Sequence, residues 1–148
     1  LVARKLPMQN GELVHGFIAD LKQTVQEAKA SNEPAFGAMA DCLADSIADL
    51  EETSGWLLGK LAENRDAAFA GATPYSRIFA LATGGAYLAR GALAAARGAN
   101  GADAAADAHI AVARHFAETQ VPLTGGLKQT VYHAHETVLG PLADAALG

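Results

Sequence analysis

Phe36, Leu43, Leu50 and Leu57 recur every seven residues, and Ala40, Ile47, Ser54 and Leu61 fill the partner register. Two interleaved seven-residue rows form the seam of a helix that packs along its length against other helices. A strand, with its period of two, cannot produce this pattern. The seam predicts a long helix opened by Asn32 as N-cap, with Glu33 and Pro34 in the first turn, and stopped at Asn64. Asp41, Asp45, Asp49, Glu51 and Glu52 lie largely off the seam and give the helix an acidic outer face.

Three further helical segments match it in length. The first follows the turn-like Pro7–Gly11 and runs to Ala30, with Leu13, Phe17, Leu21, Val25 and Ala28 inward and Asp20, Lys22, Gln26 and Lys29 outward. The third follows Thr73-Pro74, a cap with proline at the first helical position, and ends at Gly98. Its apolar side is Ile78, Leu81, Gly85, Leu88, Ala92 and Ala95. Gly84, Gly85 and Gly91 each cost the helix roughly 1 kcal/mol against Ala, so another backbone is expected to come close there. The fourth starts after a loop over 98–102 with Asp103 as N-cap, passes His109, Val112, Phe116 and Ala117, and meets Pro122. It resumes with Leu123, Leu127, Val131 and Val138 before Gly140-Pro141 ends it. Proline inside a helix removes a backbone bond and clashes with the preceding turn, so a kink or break is expected at Val121. Alanine supplies about a quarter of the 148 residues and aromatics only 6%, which suits close-packed helices and not a pleated sheet. The fold class is therefore all-α: an antiparallel up-down-up-down four-helix bundle, its last helix kinked or broken near Pro122.

Charge and motifs exclude several chemistries. A net charge of −5 argues against nucleic acid as a partner. The single Cys42 leaves no internal disulfide and no Cys-based zinc site, and fits a cytoplasmic protein. Arg4 and Lys5 are followed by no apolar run, so the start is not read as a signal peptide. Residues 78–96 come nearest to a membrane span, but Arg90, paired glycines and many alanines make them a buried helix, and no membrane role is expected. Glu12-Leu13-Val14-His15 matches the Glu-x-x-His element of carboxylate-bridged metal sites, yet no second copy exists, and a solvated Glu with a surface His is the simpler reading. His133 and His135, with Glu136 following, point about 200° apart on a helix and cannot share one ion: one is expected partly packed, one solvated. His109 and His115 are also poorly aligned, and Cys42 reads as a small boundary residue. Thr124–Lys128 lacks P-loop spacing, and Gly84-Gly85 follows no strand. No catalytic, cofactor-binding or metal site emerges.

Tyr75, Arg77 and Arg90 stand apart as polar residues on an otherwise small and apolar helix. A cation in a helix's first turns opposes the macrodipole, so Arg77 is expected to be held by a carboxylate or a partner surface. The three are candidates for structural or interdomain contacts.

Leu1-Val2-Ala3-Arg4-Lys5-Leu6-Pro7 reads like the tail of a cut helix and resembles the segment that leaves the catalytic region of the longer bacterial acyl-CoA dehydrogenases. Gly71–Gly85 is similar to that family's extra C-terminal domain, with its aromatic-x-Arg-aliphatic-Phe run (Tyr75-Ser76-Arg77-Ile78-Phe79), its glycines and the later Arg90. Phe116-Ala117-Glu118-Thr119-Gln120-Val121-Pro122 resembles its aromatic-Ala-Glu element ending at proline. The resemblance implies residues 1–10 as the tail of a catalytic-domain helix and linker, and residues 11–148 as a C-terminal helical bundle.

It further implies a parent enzyme that uses FAD to oxidise acyl-CoA to 2,3-enoyl-CoA. In such enzymes a glutamate takes the α-proton while the β-hydrogen passes to the flavin. That glutamate is expected upstream of Leu1, and no glutamate here matches it. The implied partners are the catalytic domains of the same chain, a homo-oligomer, and, through the parent, acyl-CoA and electron-transfer flavoprotein. The segment alone is expected to be inactive and flavin-free. The alternative is a free-standing helical interaction module.

Overall fold

The computed structural model describes residues 1–98 and 103–140. Six α-helices are present among them: α1 (Glu12–Ala30), α2 (Met39–Glu63), α3 (Arg65–Ala70), α4 (Ala72–Gly98), α5 (Ala104–Thr119) and α6 (Thr124–Val138). No strand occurs among the described residues. Residues 99–102 of the expected 98–102 loop and the Pro141 stop lie outside them.

The long helices alternate in direction. Lys22 pairs with Glu51 and Lys29 with Asp41, so α2 runs back along α1. Tyr75 meets Ser54 and Gly85 sits against Leu43, which sets α4 antiparallel to α2. α5 and α6 descend along α4 and act together as the fourth member of the bundle. α2 and α4 are the inner pair: α1 contacts both on one side, and α5 and α6 contact both on the other. Leu43, Ile47, Leu50 and Leu57 of the seven-residue seam are fully buried. The break near Pro122 is a 3-10 turn, Val121–Leu123, between α5 and α6.

Several local expectations are corrected by tertiary contacts. Asn32 is not an N-cap. It adopts a left-handed conformation, Glu33 caps a single 3-10 turn over Pro34–Phe36, and Gly37 (φ +52°) breaks the chain before α2 starts at Met39. The cap of α2 comes from another helix: the Ala38 N–H donates to Glu118 Oε1 of α5 at 3.0 Å. Asn64 does stop α2, and it also opens α3, a short helix not foreseen, by accepting from the Ala67 N–H at 3.1 Å. α4 starts at Ala72 and not after Thr73, because the Tyr75 N–H already bonds back to the Gly71 carbonyl. Asp103 caps α5 through the Ala105 and Ala106 amides.

The buried faces are also rotated from some of the expected ones. Leu13, expected inward, is exposed, and Val14 and Ile18 of α1 face the core; on α5 the core face is Ile110 and Ala113. On α4 the buried arc is Tyr75, Ile78, Ala82, Gly85, Ala86, Ala89, Ala92 and Leu93, with Leu81 and Leu88 only half-buried. A helix in contact with several neighbours buries a wider arc than its apolar stripe, and alanine fills the difference. Before α1, Val2 and Leu6 are buried against the bundle, so residues 1–10 pack onto it as a turn.

Only one of the three α4 glycines meets the crowding expected of them. A Cβ on Gly85 would stand 2.6 Å from Leu43 Cδ2 and 2.9 Å from Val121 Cγ2. These are side chains and not backbone. Gly84 has ordinary contacts with Phe116, and around Gly91 there is nothing within 4 Å. Close backbone approach occurs instead at Gly71, whose Cβ would be 3.2 Å from the Val131 carbonyl oxygen of α6.

Candidate functional site

The three polar residues of α4 that the sequence singled out diverge. Tyr75 points inward, fully buried, and its hydroxyl shares a 2.9 Å hydrogen bond with Ser54 Oγ. Burial pushes the phenol pKa up, and the bond to Ser54 opposes that only in part. Tyr75 is a core residue that satisfies its own polar tip.

Arg90 faces α1. Its Nε donates to Thr24 Oγ1 at 2.8 Å, and an Nη donates to Asp20 Oδ2 at 2.6 Å and to the Asp20 carbonyl at 3.2 Å. Its guanidinium also lies over the Tyr87 ring, 5.1 Å from the centroid. Seven residues on, Arg97 pairs with Glu27, seven residues beyond Asp20, so two arginines fix the register of α4 on α1. The pairs are partly exposed, and each is worth at most about 1 kcal/mol.

Arg77 differs from both. It is exposed and makes no hydrogen bond or ion pair among the described residues. It lines a groove of about 500 Å³ between α4 and α6, with Ala80, Leu81, Leu123, Gly126 and Leu127. The groove opens onto the outer face of α4, where Ala80, Gly84, Tyr87, Gly91 and Ala94 follow at helical spacing. A second shallow groove, about 340 Å³, continues between α4 and α5 past Leu88 and Val112. Leu123, Val112 and Tyr87 are 55%, 58% and 51% exposed, an apolar outcrop along one side of the bundle.

Two polar clusters that the sequence did not announce hold this side together. Lys128 of α6 donates to Asp49 Oδ1 at 2.6 Å and to Glu52 Oε2 at 3.1 Å, and Thr124 Oγ1 donates to Asp49 Oδ2 at 2.9 Å. Hydrogen bonds to the two carboxylates push the Lys128 pKa well above its usual range. At the other end Glu118 accepts from Ala38 N–H and from Arg114 Nε, directly over Gly37, where any Cβ would collide with the pair. The Ala38 amide, then Arg114, hold the Glu118 carboxyl below the usual glutamate range. The aromatic-Ala-Glu element thus acts as a clamp on the start of α2. Neither cluster shows periodicity, so only the Glu118 resemblance marked one of them in the sequence.

The remaining reactive candidates stay apart. Glu12 and His15 are exposed on α1, and no three of His, Cys, Asp and Glu converge on a metal-sized site among the described residues. His135 packs its ring on Trp56 at 5.8 Å, while His133 is exposed beside Glu136. Partial burial, with Glu118, Asp45 and Asp41 nearby, pushes the Cys42 thiol pKa up, which opposes nucleophilic use. Among the described residues α4 alone is long and apolar enough to cross a membrane, and it contacts every other long helix.

These concavities do not fit a flavin dinucleotide. A third pocket of about 230 Å³, between the N-terminal turn and α4, is lined by Leu1, Met8, Leu13, Phe17 and Phe79 with Lys5 as its one cation. In all three the walls are almost wholly apolar, and none offers the cluster of amide donors that a pyrophosphate needs. Nothing matches the chain among curated proteins or solved structures. A family model described as acetyl-CoA dehydrogenase C-terminal like matches residues 17–140, which spans α1 to α6, and the chain belongs to that family.

Proposed function

We propose that this bundle is the non-catalytic C-terminal domain of an FAD-dependent acyl-CoA dehydrogenase, a cytoplasmic homo-oligomer that oxidises acyl-CoA to 2,3-enoyl-CoA and passes electrons to an electron-transfer flavoprotein. Enzymes with this domain generally use FAD. The domain's own work is mechanical: it packs on the catalytic region, or on that of a neighbouring subunit, and holds it in place. The observation that carries this reading is the bare apolar side of the bundle, where Tyr87, Val112 and Leu123 stand in solvent beside well-buried neighbours. Such an outcrop is what an interdomain face leaves when its partner is taken away.

The test is to read the natural open reading frame and to purify its whole product and the 148-residue chain side by side. The whole product should be yellow and should reduce an artificial electron acceptor with acyl-CoA, and the 148-residue chain should do neither. A reading frame that opens at Leu1, or flavin bound stoichiometrically to the short chain, would falsify the reading and favour a free-standing interaction module.

A further inference from the structure

Of Tyr75, Arg77 and Arg90, the three polar residues of α4 that the sequence singled out, Tyr75 and Arg90 are consumed within the bundle, and Arg77 is not. Its place is unfavourable on local grounds. It lies in the second turn of α4, near the positive end of the helix dipole, where a cation gains nothing from its own helix. An exposed guanidinium there is also the one charge beside a groove otherwise walled by Ala80, Leu81, Leu123, Gly126 and Leu127. The walls come from α4 on one side and from the 3-10 turn with the start of α6 on the other, each giving residues at i, i+3 and i+4, and Ala80 and Gly126 keep both rims low. A Cβ on Gly126 would touch nothing within 4 Å, so the rim is open to an incoming body. Ridges of a third helix fit a groove of this kind.

We propose that the α4–α6 groove receives a helix of the parent enzyme's catalytic region, and that an Asp or Glu of that helix pairs with Arg77. The inference rests on the accessory-domain reading above. The occupant's chemistry follows from the groove: a carboxylate opposite the unpaired guanidinium, flanked by small aliphatic side chains that cover Leu81, Leu123 and Leu127. Arginine in an apolar surround is favoured for such contacts, because its planar fork binds a carboxylate at two points and is weakly hydrated.

The experiment uses the whole parent enzyme. Arg77→Lys places an amine in the groove, and a zero-length carbodiimide reagent then joins it to any carboxylate in contact. A crosslink from position 77 to an Asp or Glu outside this chain supports the proposal. A crosslink to this domain in a second subunit overturns it in favour of self-association, and no crosslink at all also overturns it. Arg77→Glu provides a second readout. It should speed proteolytic release of the domain from the core by about tenfold or more, as expected for an anchoring arginine. The same change in the isolated chain should leave the thermal midpoint equal or slightly higher, since a carboxylate suits that end of α4. Gln26→Glu, exposed on α1 across the bundle and without a side-chain partner among the described residues, serves as the control and should not alter release. Equal release rates for Arg77→Glu and wild type overturn the proposal. If the whole product carries flavin and oxidises acyl-CoA while these results fail, only the groove assignment falls. If it does neither, the domain reading falls with it.

Discussion

Gly85 and Gly91 stand six residues apart on α4, and a methyl group added to each would meet opposite surroundings. At Gly85 it would run into Leu43 and Val121, both fully buried; at Gly91 it would enter open space. The same contrast holds between Tyr75, sealed in the core, and Tyr87, half in solvent. The two faces of α4 are built from similar residues, mostly alanine, glycine and one tyrosine each, yet one is a packed interior and the other a surface. Composition therefore does not tell a core from an exposed face. What tells them apart is whether volume is already taken by neighbours, because interiors are close-packed and surfaces are not.

The largest test of this contrast is the tyrosine pair. Tyr75→Ala should cost on the order of 3–5 kcal/mol, as for other large aromatics removed from a core. Tyr87→Ala in the isolated chain should stay within about 0.5 kcal/mol, the usual range for surface changes. Urea denaturation of both variants measures this, and comparable losses would erase the distinction between the faces. Tyr75→Phe should lose only about 1 kcal/mol, because the Ser54 hydroxyl keeps its 2.6 Å bond to the Leu50 carbonyl.

Next comes the glycine pair. Gly85→Ala should destabilise by about 1–3 kcal/mol, the cost of forcing a methyl into a filled space. Gly91→Ala should instead stabilise by about 0.5–1 kcal/mol, through helix propensity alone. Opposite signs in thermal unfolding are the expected result, and a gain at both positions would show that Leu43 and Val121 yield easily.

The smallest effect concerns pH. Glu118 has its pKa lowered in the fold, so its contribution is complete above the unfolded glutamate value of about 4.3 and is lost as pH falls through the lower folded value. Stability of the wild type should therefore drop more steeply below about pH 4.3 than that of Glu118→Gln. Parallel acid profiles would mean that the clamp on Ala38 does not depend on charge.

Much of the fold was legible because its signal is periodic. The seven-residue seam on α2, the Asp103 cap and the break at Pro122 are local patterns, and each appears where expected. The start of α2 was misplaced because Glu118, eighty residues away, does the work that Asn32 was expected to do. Leu13 was misassigned because an apolar residue beside a pocket obeys the same spacing as one in the core. For the candidate surface the sequence singled out Tyr75, Arg77 and Arg90 together. No rule of spacing could separate them, since their fates depend on which helix lies opposite.

The sequence by itself determined that the chain is helical, that its bundle has four members with the last one broken near Pro122, roughly where they end, and that it carries the family's elements near Tyr75 and Glu118. These follow from periodicity, capping and proline geometry, all of which act within a few residues. The tertiary structure alone decided which glycine is crowded, which arginine of α4 is paired and which has no partner among the described residues, and which side of α4 is left bare. Those are properties of volume and charge shared between segments far apart in the chain, and they exist only once α1, α2, α5 and α6 have taken their places around α4.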